Sequence, residues 1–133
     1  MQHILVAYDG GAPARRALDT AIELAKRFDA SLAIVSVVRR HAGRMSVDPW
    51  HDTPVHDREL ADASGIAARE GVAAELIESF GDPARTIERV AEMGRFDTIV
   101  VGTRDQAALA RWFQGSTSAH VATHAQATVI VVR

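Results

Sequence analysis

Short β-branched runs alternate with stretches of helical period along the whole chain, and this alternation leaves few folds open. His3–Tyr8 (HILVAY), Ser31–Val38 (SLAIVSVV), Ala73–Phe80, Thr98–Val101 and Thr128–Val132 (TVIVV) read as five strands. The run HILVAY is apolar almost throughout, as in a strand buried on both faces. Between the first two runs, Ala14, Ala17, Leu18, Ala21, Ile22, Ala25 and Phe28 recur at helical spacing, with Arg15, Arg16, Asp19, Glu23 and Arg27 on the other face. Pro13 falls in the first turn of that helix, where its missing N–H costs little, and Glu23 and Arg27 form a favourable i,i+4 pair. Asp57–Arg69 predicts a second helix with Leu60, Ala63 and Ala67 inward. Gly81-Asp82-Pro83 starts a third, with Asp82 as N-cap, Pro83 at the first helical position, and Ile87, Val90 and Ala91 facing the core. Ser116–His124 predicts a last helix before the final strand. Arg39–His56 stands outside the pattern and reads as a long loop.

Strands alternating with helices imply a parallel sheet with right-handed crossovers. The expectation is therefore an α/β fold: a single five-stranded, parallel, doubly wound sheet of order 3-2-1-4-5 with helices on both faces. At 133 residues, one domain spanning 1–133 suffices.

Composition excludes more than it assigns. Hydrophobic residues are 47% and charged residues 24%, an ordinary globular balance. A net charge of -2 gives no reason to expect nucleic acid or an anionic membrane as partner. No apolar run approaches the length of a membrane span. The opening MQHILVAYDGG lacks the features of a secretory signal, and the absence of Cys suits a cytoplasmic location.

In a doubly wound sheet, ligands sit beyond the carboxyl ends of the strands, where the strand order reverses. Asp9 closes the first strand, Val37 lies near the end of the second, and Gly102 ends the fourth. The run Val100-Val101-Gly102-Thr103-Arg104-Asp105 is followed, after nine residues, by Gly115-Ser116-Thr117 at the start of the last helix. Such a layout suits a phosphate: Gly lets backbone approach, helix N-terminal amides face the anion, and two hydroxyls add donors.

The residues ILVAYDGG…ARRAL at one end and VVGTRD…FQGSTSAHVATHAQATVIVVR at the other resemble the universal stress protein family over the whole chain. The second segment is similar to that family's nucleotide motif, Gly-x2-Gly-x9-Gly-(Ser/Thr). The resemblance implies a protein that binds ATP, with or without Mg²⁺, without rapid hydrolysis, and that acts as a stress-response regulator rather than an enzyme. It implies nucleotide contacts at Ala7, Tyr8 and Asp9 and at the backbone near Val37, towards the adenine and ribose. Gly102 and Arg104 would lie by the ribose and phosphates, and Gly115, Ser116 and Thr117 would cradle the phosphates. Trp112 and Phe113 match a Leu-Leu pair that pins the loop.

Two positions depart from that pattern. Gln114 replaces an apolar residue, and Asp105 replaces the second Gly of the motif. A carboxylate about 4 Å from a phosphate repels it by roughly 4 kcal/mol at an effective dielectric of 20, and its Cβ crowds a close backbone approach. Arg104 or Mg²⁺ would offset the charge, or Asp105 would itself be a metal ligand. The alternative is a dimeric signalling or interaction module of the same fold that binds no nucleotide.

Other readings compete at single residues. Asp9 is also a turn residue and helix cap, and Ser116 and Thr117 cap a helix with or without phosphate. His120 and His124 have a metal-sharing spacing but lack the HExxH glutamate. His41, His51 and His56 with Asp48 and Asp52 are a second metal candidate. His-x-Gly-His, Ser-Gly-Gly-x-Asp-Ser and Walker signatures are absent, and local sequence suggests no Ser-His-acid set. The uncharged final strand, TVIVV, is an expected sheet edge and homodimer interface.

Overall fold

The computed structural model describes residues 1–38, 49–102 and 127–133, with residues 49–55 described by their backbone alone. The elements run β1 (His3–Ala7), α1 (Ala12–Phe28), β2 (Ser31–Val38), α2 (Pro49–Arg69), β3 (Ala74–Phe80), α3 (Pro83–Met93), β4 (Thr98–Gly102) and β5 (Thr128–Val132). All strand pairs are parallel and the order is β3-β2-β1-β4-β5, as the alternation requires. Central β1 pairs on one side with β2 (Ile4 opposite Leu32) and on the other with β4 (Ile4 opposite Thr98).

The period of two along each strand divides the core into two layers. Ile4, Val6, Leu32, Ile34 and Val100 face α1 and α2, while Leu5, Ala33, Val35, Ile99 and Val101 face α3. The right-handed crossover rule accounts for the sides. The β1-to-β2 and β2-to-β3 connections step one way and share a face, and β3 to β4 steps back across the sheet and takes the other. Ile4, Leu5 and Val6 of β1 are fully buried, which is why this strand has no polar alternation.

α1 is amphipathic as its sequence predicts, burying Pro13, Ala14, Ala17, Leu18, Ala21, Ile22 and Ala25. Phe28, expected inside, is 56% exposed. It occupies the last helical turn at the amino end of the sheet, where His3 and Ser31 are themselves exposed and no core awaits the ring. The solvated face carries the expected Glu23–Arg27 pair at 2.8 Å, and Arg15 and Lys26 contact Asp19 and Glu70. Asp82 caps α3, its side chain accepting from the Arg85 amide, with Pro83 next to it.

The extent of the second helix is also corrected. The loop read over Arg39–His56 gives way to helix at Pro49, so α2 is longer than the predicted Asp57–Arg69. Pro49 suits a helix start, whereas Pro54 has no N–H for the helical ladder and so masks the helix in the sequence. Within α2, Leu60, Ala63 and Ala67 are buried as predicted.

At the amino end of the sheet, Asp97 joins the strands. Its Oδ2 accepts from the amides of Gln2 (2.7 Å) and His3 (3.3 Å), and Oδ1 from the Thr98 hydroxyl. Its carbonyl accepts from the Thr128 amide. Burial alone would raise this carboxyl, but the bonds from Gln2, Thr98 and His3, with the N-terminal ammonium, hold it below its ordinary value.

Candidate functional site

At the opposite, carboxyl end of the sheet, β1 and β4 are the neighbours at which strand order reverses. The Tyr8 amide donates to the Val35 carbonyl (2.9 Å), and the chain then turns at Asp9-Gly10, with Gly10 at φ +82°. Asp9 Oδ1 accepts from the Gly11 amide at 2.9 Å. This Asx turn uses one carboxylate oxygen and leaves the exposed other for a second donor. Asp9 is thus a turn residue, but not the helix cap expected of it: the N-cap of α1 is Gly11, with no side-chain cap bond.

α1 consequently starts with amides that no side chain caps and with no acid in its first turn, while Lys26 and Arg27 occupy its last turn. The Ala12 and Ala14 amides have no intrahelical acceptor, so the positive end of the helix dipole is concentrated here. This end lies on β4. A Cβ built on Gly102 would stand 2.2 Å from the Pro13 carbonyl oxygen and 2.8 Å from the Ala14 nitrogen. Gly102 is glycine because the first turn of α1 rests against it, a requirement that holds with or without ligand. The structure therefore brings Asp9, the start of α1 and Gly102 together at the switch point. Val37, on β2 opposite Ser79, packs with the layer that faces α3.

Arg104, Asp105, Gly115, Ser116 and Thr117 lie outside the described residues, as do Trp112, Phe113, Gln114, His120, His124, His41 and Asp48. His51 and Asp52 fall on α2, described by backbone only. Among the described residues, no group of three or more His, Cys, Asp or Glu side chains is arranged to hold a metal.

His56, one of the loop histidines named above as a metal candidate, belongs to a polar cluster on α2. Its Nδ1 lies 2.6 Å from Ser36 Oγ and 3.1 Å from Glu59 Oε2. The Glu59 contact is an ion-pair approach off the line of a directed hydrogen bond. Ser36 is fully buried in β2, so its hydroxyl needs the partner it has. This is not a hydrolytic triad, because serine and acid meet the same ring nitrogen and the serine is inaccessible. Burial pushes the Glu59 carboxyl up, His56 pulls it down, and Asp9 pushes it up again. Burial likewise raises the Tyr8 hydroxyl; Arg15 opposes the rise, while Asp62, Glu59 and Asp9 add to it. Glu78 is raised by burial and by its hydrogen bond from β3 to Asp57.

Ser36 and Glu59 were not singled out from sequence, although two signals exist. Ser36 is a hydroxyl in the middle of an otherwise apolar run, and His56 and Glu59 stand at i,i+3 on a helix whose first turns Pro54 obscures.

A five-stranded parallel sheet of order β3-β2-β1-β4-β5 with helices on both faces defines a doubly wound α/β protein. The universal stress protein family model matches residues 1–133. The universal stress protein YxiE of Bacillus subtilis is 33% identical over 149 residues, covering 98% of this chain and 97% of that protein. A solved universal stress protein family member from Burkholderia pseudomallei is 30% identical with TM-score 0.71, covering 98% of this chain and 95% of its own. One from Archaeoglobus fulgidus in complex with dAMP shares the fold at TM-score 0.72 and 23% identity, covering 100% of this chain and 98% of its own. The chain belongs to the universal stress protein family.

Proposed function

We propose that this chain is an ATP-binding regulatory protein of the stress response, without a rapid catalytic reaction. The observation that carries the reading is the uncapped start of α1 seated against Gly102, beside Asp9 at the switch point. Amide donors and positive helix dipole suit phosphate, and the second Asp9 oxygen suits a ribose hydroxyl or base amine. The dAMP complex of the Archaeoglobus fulgidus protein supports adenine nucleotide as the ligand class. In this reading Ala7, Tyr8, Asp9 and the backbone near Val37 meet the nucleoside, and Gly102, Arg104, Gly115, Ser116 and Thr117 meet the phosphates. Mg²⁺ would serve beside Arg104 to offset Asp105. The protein would act in the cytoplasm, as a single-domain homodimer.

Calorimetric titration with ATP tests the reading, with Gly115→Val as the control. A β-branched side chain there would obstruct the backbone donors, so binding by the parent and none by the variant is the expected pair. Equal affinities would move the site elsewhere. No binding by the parent would favour a dimeric module of the same fold, to which the Asp105 departure points.

A further inference from the structure

Gly10, at φ +82°, carries the turn that presents Asp9, and the Glu59 carboxylate of α2 lies over it. A Cβ built on Gly10 would stand 3.2 Å from Glu59 Oε1. Glu59 in turn meets His56, and His56 meets Ser36, whose fully buried position in β2 makes it a fixed anchor. A continuous chain of contacts thus runs from the core of the sheet, through one face of α2, to the turn at the candidate site. We infer that His56 and Glu59 are positioning residues for the Asp9-Gly10 turn, and that the net charge of the pair sets how tightly an anionic nucleotide is held there. The inference rests on the nucleotide reading above.

The chemistry follows from counting protons. Ser36 is satisfied whether Nδ1 donates to it or accepts from it, so its bond survives either state of the ring. Glu59 differs, because a carboxylate is neutralised only when the pair holds a proton. With one proton the pair has no net charge; with none it carries -1 beside Asp9. Other groups near the pair are mostly acidic: Asp57 and Asp62 of α2, Glu78 of β3, and Asp9, with Tyr8 of β1 and Arg15 of α1 completing the surroundings. Losing the proton adds a negative charge at the entrance of an anion site. One charge about 10 Å away, at an effective dielectric of 20, changes affinity by about tenfold or slightly more.

ATP affinity is measured by calorimetry from pH 5.5 to 8.5 for the parent, His56→Gln and Glu59→Gln; ratios to the parent at each pH remove the titration of the phosphate itself. Glu59→Gln carries one negative charge fewer than the parent whether or not the ring holds a proton, so it should bind about tenfold more tightly across the whole range. His56→Gln, with its carboxylate uncompensated, should be about tenfold weaker than the parent at pH 5.5 and converge with it at 8.5. A purely structural role would weaken both variants at every pH, and that result overturns the inference. The Gly10 amide resonance of the ligand-free protein gives a second readout. It should follow the titration of the pair in the parent and lose that dependence in Glu59→Gln. A Gly10 resonance unresponsive to the pair overturns the positioning role, whatever ATP does. A responsive Gly10 in a protein that binds no ATP at any pH retains the positioning link and rejects the nucleotide reading.

Discussion

In the proposed site, Asp105 is the residue on which phosphate binding would turn, because it stands where the motif that the sequence resembles has glycine. If its carboxylate faces the phosphates, Asp105→Gly should tighten ATP binding about tenfold or more, each decade corresponding to about 1.4 kcal/mol. Weaker binding seen only with Mg²⁺ would mark Asp105 as a metal-side ligand, and unchanged affinity would put the carboxylate in solvent. At the amino end of the sheet, Asp97 makes a prediction about stability. Its carboxyl is held below its ordinary value in the fold, so the stability it contributes is present above the unfolded value near 3.8 and is lost as pH falls through the folded one. Asp97→Asn should cost about 1 kcal/mol at pH 7, the low end for bonds to a charge because solvent screens this one. Urea unfolding at pH 7 and at pH 2.5 should show the deficit shrinking in acid; a deficit independent of pH would rule out the charge as its source.

Among the elements, the contact of α1 with β4 is the most sensitive to a single atom. Gly102→Ala would drive a methyl into the Pro13 carbonyl, 2.2 Å away, and the strand or helix must shift. Overpacking of this kind costs about 1–3 kcal/mol, and guanidinium midpoints of the two proteins should differ accordingly. An unchanged midpoint would mean that the first turn of α1 is free to move off the strand. The elements themselves were legible in the sequence wherever one period ran without interruption: Ser31–Val38 and Thr128–Val132 are strands over the residues expected, and Asp82-Pro83 starts α3 as expected. Legibility failed where a local signal opposed tertiary packing. Pro54 argued for loop in a stretch that is helix, and the period placed Phe28 inward where the sheet no longer has a core. Of the site, the turn at Asp9 and the glycine at Gly102 were legible from position alone. The dependence of that turn on Glu59 was not, because it joins residues on separate elements that only the folded sheet brings together.

For the molecule as a whole, the outer strand β5 bears on assembly. β5 lies at one edge, with partly buried, uncharged TVIVV along its length. Such an edge invites pairing, and two copies meeting about a two-fold axis would close it. Ile130→Lys should give a folded monomer or an insoluble protein, read by light scattering together with circular dichroism. A parent already monomeric at high concentration would refute the dimer and leave the edge to be protected within the chain. The central place of β1 has a different consequence, for biosynthesis. One neighbour, β2, follows it closely, but the partner of Ile4 on its other side is Thr98. At the usual 5–20 residues per second, roughly five to twenty seconds of translation separate the two. Throughout that interval the central strand, whose Ile4, Leu5 and Val6 are fully buried in the finished fold, has one open edge, so this protein should depend on holding chaperones during synthesis far more than its finished form suggests.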